Sequence, residues 1–477
     1  MEQKIFDIVI IGGGAGGLFS ASVARALGAR VCIIEKKRLG GDCTWFGCMP
    51  SKAILKSAHV ARMIRESERV GVSLQNPSSL DTSGVLARVR DVVKEIATHH
   101  EPDDLRKRGI DVIFGNPRFE DRRTLDVDGA RILGKRFILC TGSHPLVLYI
   151  DGMRDIGYLT NENIFDLNAL PSSLIVLGGG PIGSEMSQAL CRLGTTVSLV
   201  EMQERILFRE EPELAGIVAA RFKKEGINIL TGKKAVKAAR KDGQVVLTLE
   251  DREGRREEIA AENILIAVGR APNLSGLDLE KAGVECTDRG LKLNPFLQTT
   301  NPGVFACGDV ASPYQFSHVA AYQASVAVRN AMFRRIAWQR VNYDNMAWAT
   351  FTDPELAHLG LTEHEAREKY AGIRVYTTPY TNADRAVTDA DTEGLVKVIA
   401  DKRGFILGAH IVGAGAGEII QGFLIAKSRR IPLAKIAQTL FIYPTLSELV
   451  KKTAAKPFVE TGNHPAVKLM IKILKSV

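Results

Sequence analysis

The stretch IFDIVIIGGGAGGLFS, residues 5–20, decides how the chain folds. Its opening residues make a nearly continuous apolar run, the pattern of a strand buried on both faces of a parallel sheet. Gly12, Gly14 and Gly17 follow in G-x-G-x-x-G spacing. A helical pattern then runs from about Leu18 to Leu27, Gly28 stops it, and VCIIE ends on Glu35. In such a unit the glycines let backbone N–H groups approach a pyrophosphate at the helix N-terminus, and the distal acid accepts hydrogen bonds from a ribose diol. A glycine motif alone is a weak signal; here its strand, helix and acid accompany it.

Working outward, the same unit recurs. SLIVLGGGPIGSE, residues 173–185, supplies Gly178, Gly180 and Gly183, and TVSLVE ends on Glu201, at the spacing that separates Gly12 from Glu35. Two dinucleotide sites imply two dinucleotides. Between them GGDCTWFGCMPSKAIL, residues 40–55, places Cys43 and Cys48 close together and leads into a helix with Ile54, Ala58 and Ala61 on its buried face. Two thiols at that spacing pair without large backbone movement, and a helix N-terminus with Lys52 nearby favours a thiolate. A structural disulfide and a zinc half-site are the competing readings. Nothing points to secretion, and no second cysteine pair supplies further zinc ligands. With a cysteine pair between the units, the economical assignment is FAD at the first and a nicotinamide at the second. Glu201 favours NADH over NADPH, although Arg205 lies close in sequence.

The chain has 477 residues, too many for one core, with 45% apolar and 25% charged residues, as in an ordinary globular enzyme. No run of eighteen apolar residues suggests a membrane span. The start, MEQKIFDIVIIGGG, enters a strand directly without the zones of a signal peptide, so a cytoplasmic location is expected. The net charge of +9 is scattered among acids and not interleaved with aromatics, which argues against nucleic acid and for steering of anionic cofactors. Cys32, Cys140, Cys191, Cys286 and Cys307 stand alone in apolar or tight-turn settings and read as packing residues.

Residues 84–108 form an amphipathic helical pattern carrying Val85, Val89, Val92, Val93 and Ile96, expected to pack on the first domain. KRFILCTGSHP (135–145) and ENILIAVGRAPN (262–273) read as crossover strands returning from the nucleotide domains. TTNPGVFACGDVA (299–311) ends a strand at Gly308 and Asp309, an acid placed to bond a flavin polyol. From about Asn345 the pattern is α+β without a nucleotide motif, which fits oligomerisation. The terminal AVKLMIKILKSV reads as a packed or frayed helix. The expected fold class is α/β, with two Rossmann-like dinucleotide-binding domains and a C-terminal α+β dimerisation domain. The expected division is 1–150 (FAD domain, first part), 151–270 (NAD(P) domain), 271–344 (FAD domain, second part) and 345–477 (interface domain).

The order of GGGAGG, GGDCTWFGCMPSK, the Thr141–Gly142 turn, GGGPIGSE, AVGRAPN, ACGDVA, FTDPELAHLGLTE and YPTLSE resembles the class I flavoprotein pyridine nucleotide-disulfide oxidoreductases. This group includes dihydrolipoamide dehydrogenase, glutathione reductase and mercuric reductase. The resemblance implies that hydride passes from NAD(P)H to FAD and on to a Cys43–Cys48 disulfide, with Cys48 against the flavin and Cys43 as the interchange thiol. It implies Lys52 near the flavin's reactive nitrogen, paired with Glu185; Asp309 on the ribityl chain; and His318 within the lining segment Phe316 to Val319. Gly115, Thr141, Gly142 and Gly269 complete the expected cofactor contacts.

Disulfide-reducing members carry a histidine immediately before the Pro-Thr of the last motif, supplied by the partner subunit and oriented by a downstream glutamate. Here FIYPTLSE puts Tyr443 at that place and keeps Glu448. A tyrosine with pKa near 10 is a poor proton shuttle at neutral pH beside an imidazole near 6.5. Tyrosine there is similar to mercuric reductases, although those carry a C-terminal cysteine pair, and no cysteine follows Cys307. Trp45 and Phe46 stand where lipoamide dehydrogenases have smaller residues. The expected function is a mercuric reductase-like flavoenzyme acting on a thiol, disulfide or metal-ion acceptor, as a homodimer whose site is completed by the other chain's Tyr443 and Glu448. The alternatives are a dihydrolipoamide dehydrogenase-type enzyme and a redox-sensing flavoprotein acting through a protein partner.

Overall fold

The computed structural model describes residues 5–74, 80–288, 290–463 and 473–475. The terminal segment read as a helix lies almost wholly outside these. The first sheet is built around Ile5–Ile11, which pairs in parallel with Val31–Glu35 on one side and Ala130–Leu139 on the other. Ile110–Phe114 extends it beyond Val31–Glu35, and Val304–Ala306 returns from far along the chain to pair with Ala130–Leu139. The apolar run of the opening strand is buried because both faces are covered. Helix Ala15–Ala26 turns Gly16, Gly17, Ser20, Ala21 and Ala24 inward, and helix Ser317–Met332 buries Ala320, Ala324, Ala327 and Ala331. At this small-residue seam a Cβ on Gly16 would meet Cys307 Sγ at 3.2 Å and Ala320 Cβ at 3.7 Å.

The second unit repeats the plan with parallel strands Asn228–Thr231, Thr196–Glu201, Ser173–Leu177 and Asn263–Ile266, flanked by the antiparallel ribbon Lys234–Ala261. The stretches read as crossover strands lie inside the sheets, each beside the first strand of its unit. Only their ends leave: Ser143–Pro145 and Arg270–Pro272 pair antiparallel with each other and tie the two units together. Apolar composition is the same for a strand inside a sheet and one returning from it, so periodicity does not separate the two.

Helix Cys48–Arg65 bridges the units. Ala53, Ile54, Ala58 and Ala61 share one core with Met186 and Leu190 of helix Pro181–Arg192, and with Leu86 and Val89 of helix Val85–Ala97. The amphipathic helix expected on the first domain packs on helices Gly41–Trp45 and Cys48–Arg65 and through them also joins the core of the second. The C-terminal unit is a five-stranded antiparallel sheet in the order Ala347–Thr350, Glu355–Gly360, Ile406–Gly413, Leu395–Asp401, Ile373–Pro379, with helix Glu448–Asn463 packed against it. Among the described residues no helix is long and apolar enough to cross a membrane.

One carboxylate joins the redox helix, the second unit and the C-terminal unit. Asp353 Oδ2 lies 2.6 Å from Arg62 Nη1, 2.7 Å from Arg192 Nη1 and 3.2 Å from His59 Nδ1. The Gln188 side-chain amide clasps the Asp353 backbone through two reciprocal bonds of 2.7 Å. Burial alone would raise the Asp353 pKa. The His59 hydrogen bond and the Arg192 and Arg62 charges outweigh it and hold the carboxyl far below the usual range.

Breaking a buried pair leaves uncompensated charge, so Asp353→Asn should cost about 3–5 kcal/mol in urea unfolding at pH 7. Because the folded pKa is depressed, the stabilisation is complete above the unfolded value of about 3.9 and is lost as pH falls toward the folded value. The gap between wild type and variant should therefore narrow below about pH 4.

Candidate active site

The two nucleotide units open onto one cavity of about 1480 Å³, lined by both glycine turns, the cysteine loop and the Lys52–Glu185 pair. At the first turn Gly12 has φ +107°, and a Cβ there would collide with the Cys140 carbonyl. Gly178 has φ +109° and stands in the same relation to the Ala267 carbonyl. A Cβ on Gly17 or Gly183 would meet the carbonyl oxygen of Gly12 or Gly178. These positions admit only glycine, and they leave Gly14 and Gly180 facing the cavity at the two helix N-termini. Glu35 Oε2 accepts the Gly13 N–H at 2.7 Å and Oε1 the Lys37 N–H at 2.8 Å. Glu201 repeats this with Gly179 at 2.7 Å and Gln203 at 2.8 Å. Arg205 turns its guanidinium onto the Phe208 and Glu210 carbonyls at 2.7 and 3.1 Å.

Thr141, Gly142, Gly269, Asp309 and His318 also line the cavity. Gly115 does not: it donates its N–H to the Glu35 carbonyl at 3.0 Å, behind the acid. Asp309 accepts a 2.5 Å bond from the Ser143 hydroxyl, and burial raises its pKa against the pull of Ser143 and Arg270. His318 Nε2 bonds the Ala347 carbonyl at 2.8 Å, and its ring stacks on Phe316.

Left-handed Gly40 (φ +102°) and Gly41 (φ +62°) turn the chain into the short helix Gly41–Trp45, and Cys48 opens the next helix. All seven cysteines are thiols. Cys48 Sγ lies 3.8 Å from Ser317 Oγ. Cys43 and Cys48 act on each other electrostatically. The Cys48 thiol, opposed by burial, lowers the Cys43 pKa to about 6, while Cys43 and burial raise Cys48 against the pull of Lys52. We read the lowered value as belonging to the pair, which holds one thiolate and one shared proton. The Cys48 position, at a helix N-terminus with Lys52 one turn on, is electrostatically suited to receive that charge.

Lys52 Nζ lies 2.9 Å from Glu185 Oε2, and Glu185 Oε1 also accepts the Phe351 N–H at 2.9 Å. Asp42, Asn161 and Arg270 were not singled out in the sequence. Arg270 meets Asp42 at 3.0 Å and Ser143 Oγ at 2.7 Å, fastening the cysteine loop to the linker between the units. The adjoining Gly269 at the exit of an apolar strand was the only local signal. Trp45 is held by the Leu39 carbonyl at 2.7 Å under the Arg38 guanidinium, so it forms cavity wall. Of the cysteines read as packing residues, Cys140 and Cys307 touch at 3.3 Å, whereas Cys286 is exposed on a short surface hairpin.

Neither Tyr443 nor Glu448 lines the cavity of its own protomer. Tyr443 is exposed, donates to Asp384 at 3.0 Å, and has its pKa raised by that carboxylate. Glu448 Oε2 is buried without a partner. Leu440 and Ile442, close to Tyr443 in the chain, are also exposed.

Comparison with known proteins agrees with this geometry. The family model described as pyridine nucleotide-disulphide oxidoreductase matches residues 6–329, and the model for that family's dimerisation domain matches 346–454. A mercuric reductase of Bacillus cereus is 33% identical over 94% of this chain and 70% of its own length. A dihydrolipoyl dehydrogenase of Thermus scotoductus is 34% identical over 95% of this chain and 97% of its own. Among solved structures, the HOCl-induced flavoprotein disulfide reductase RclA of Escherichia coli, as its Cu(II) complex, matches with TM-score 0.83 at 26% identity. It covers 95% of this chain and 99% of that one. LpdA of Mycobacterium tuberculosis matches with TM-score 0.85 at 26% identity, covering 94% and 99%.

Alkylation of the reduced protein by iodoacetamide should rise with a midpoint near pH 6, the value to which the pair is lowered. In Cys48→Ser the influence of the second thiol is removed, and the midpoint should move up toward the ordinary thiol value of about 8.5. An unchanged midpoint would place the lowered pKa elsewhere.

Proposed function

Because the chain belongs to the pyridine nucleotide-disulphide oxidoreductase family, and is thus an FAD-dependent oxidoreductase built to dimerise, we propose that it passes electrons from NADH through Cys43 and Cys48 to a thiophilic metal ion. The residues present suit FAD: a turn that only glycine can make, an acid fixed at its rim, and the half-buried Asp309 carboxylate on the same wall. When bound, FAD carries the electron pair from nicotinamide to the cysteine pair. Lys52, locked by Glu185, offers a cation to charge developing on that wall. The reduced sulfurs are soft ligands, and the low pKa keeps one of them ionised at neutral pH.

The observation that carries the choice of acceptor is Tyr443. Opening a disulfide substrate needs a group that gives and takes a proton near neutrality. Asp384 raises the pKa of a phenol that already titrates near 10. Two-electron reduction of a cation such as Hg(II) needs no shuttle: NADH and Hg(II) give NAD+, a proton and Hg(0). The named mercuric reductase relatives and the Cu(II) complex of RclA support a metal acceptor. In this reading Tyr443 and Glu448 of the partner subunit complete each cavity, and the bare Glu448 Oε2 is an acceptor left without a histidine donor. A dithiol substrate is the second reading, supported by the dihydrolipoyl dehydrogenase relatives.

For the nucleotide, Glu201 held through both oxygens repels a 2′-phosphate while Arg205 is occupied elsewhere, which favours NADH. Glu201→Ala should reduce kcat/KM for NADH by about tenfold and leave NADPH turnover higher relative to it. A wild-type preference for NADPH would refute that assignment.

An acceptor panel tests the main reading. Hg(II)-dependent NADH oxidation should exceed lipoamide reduction, and Tyr443→His should raise lipoamide turnover about a hundredfold. Fast lipoamide turnover by the wild type would overturn the metal-ion assignment.

A further inference from the structure

Three buried side chains converge where the second nucleotide unit meets the C-terminal sheet. Glu210 precedes helix Pro212–Lys224, His358 lies in strand Glu355–Gly360, and His410 in strand Ile406–Gly413. Each presents one ligand atom, and these atoms all lie within 4.8 Å of one another. His358 and His410 are register partners, their rings edge to face with centroids 4.5 Å apart.

The hydrogen bonds distinguish this cluster from an ordinary polar core. His358 Nε2 bonds the Gly360 carbonyl at 2.8 Å, and His410 Nε2 bonds the Leu361 carbonyl at 3.0 Å. Carbonyls only accept, so both Nε2 atoms carry hydrogen, and a neutral ring then has a bare lone pair on Nδ1. His410 Nδ1 is buried with no partner at all, and burial keeps the ring neutral. His358 Nδ1 faces Glu210 Oε2 at 3.0 Å, one acceptor opposite another unless a proton lies between them. Glu210 Oε1 is fixed by the Trp348 Nε1–H at 2.7 Å, and the indole stacks on His358 at 3.7 Å. Outer atoms anchored on backbone or indole, with inner atoms bare, is the arrangement by which proteins orient metal ligands.

We propose that Glu210 Oε2, His358 Nδ1 and His410 Nδ1 form a binding site for a divalent transition cation, with zinc as the best fit. Two imidazoles and a carboxylate are a borderline donor set, matched to zinc and not to calcium or magnesium. Metal–ligand bonds of about 2.0–2.2 Å set tetrahedral ligand atoms roughly 3.4 Å apart, so a closure of at most about 1.4 Å completes the triangle. Glu210 and Trp348 also line the large cavity, so the cluster lies directly behind its wall. The Lys397 charge, which opposes a cation at His410, is offset by its ion pairs with Glu211, Glu213 and Glu363. No cysteine takes part, so the site is chemically separate from Cys43 and Cys48.

The test uses FAD-loaded Cys43→Ser/Cys48→Ser protein, which removes binding by the redox sulfurs. After zinc loading and dialysis, elemental analysis should find one zinc per protomer, and Co(II) should give the visible bands of a tetrahedral site. His410→Asn in that background should lose both signals, and Trp348→Phe should weaken binding by about tenfold. Absence of retained metal in the parent, or equal retention in His410→Asn, overturns the proposal and leaves a buried hydrogen-bonded His358–Glu210 pair. Should His410→Asn fail to fold, the parent alone decides: zinc must raise its thermal midpoint and a chelator must reverse the rise. No rise refutes the site.

Discussion

The structure depends on one helix being gripped by charge near both ends. Close to its start Lys52 is locked to Glu185, and close to its end Arg62 is locked to Asp353. Glu185 and Arg192 belong to the helix that carries the second nucleotide turn, while Asp353 belongs to the C-terminal unit. The cysteines at the head of the gripped helix are therefore placed relative to both nucleotide turns by pairs that tolerate little displacement. Desolvated ion pairs contribute less net stability than packing does, but they are intolerant of a missing partner. That intolerance is a way of fixing register between units.

Packing completes what charge fixes. The inner face of the helix is alanine and isoleucine, small enough for the second unit's helix to approach and apolar enough to share its core, while the first unit's sheet keeps cores of its own. The cavity lies between the two glycine turns, and the helix packed into the second unit's core helps to hold them in register. Arg270 closes the remaining degree of freedom by tying the cysteine loop to the short linker between the units.

Much of this was legible in the residues. The two glycine turns announce themselves because only glycine fits against the Cys140 and Ala267 carbonyls, a steric demand that leaves a trace in one sequence. The cysteine loop is legible for a similar reason, since left-handed backbone at Gly40 and Gly41 must precede it. Placement of the strands 135–145 and 262–273 was not legible: apolar composition reports burial without saying which neighbour does the burying. Asp42, Arg270 and the Glu210–His358–His410 cluster were equally silent. Their partners are distant in the chain, and no local spacing records a long-range pair.

The two acids that end the second strand of each glycine-turn unit, Glu35 and Glu201, are fixed in place by the backbone. Each is tethered through both carboxylate oxygens to backbone N–H groups of its own turn, so its rotamer is chosen during folding and not on ligand arrival. The side-chain entropy is already spent, which makes these sites preorganised. A freely rotating carboxylate retreats from an incoming anion and softens discrimination. One anchored at two points has nowhere to go, so the place of its charge is already set in the empty protein.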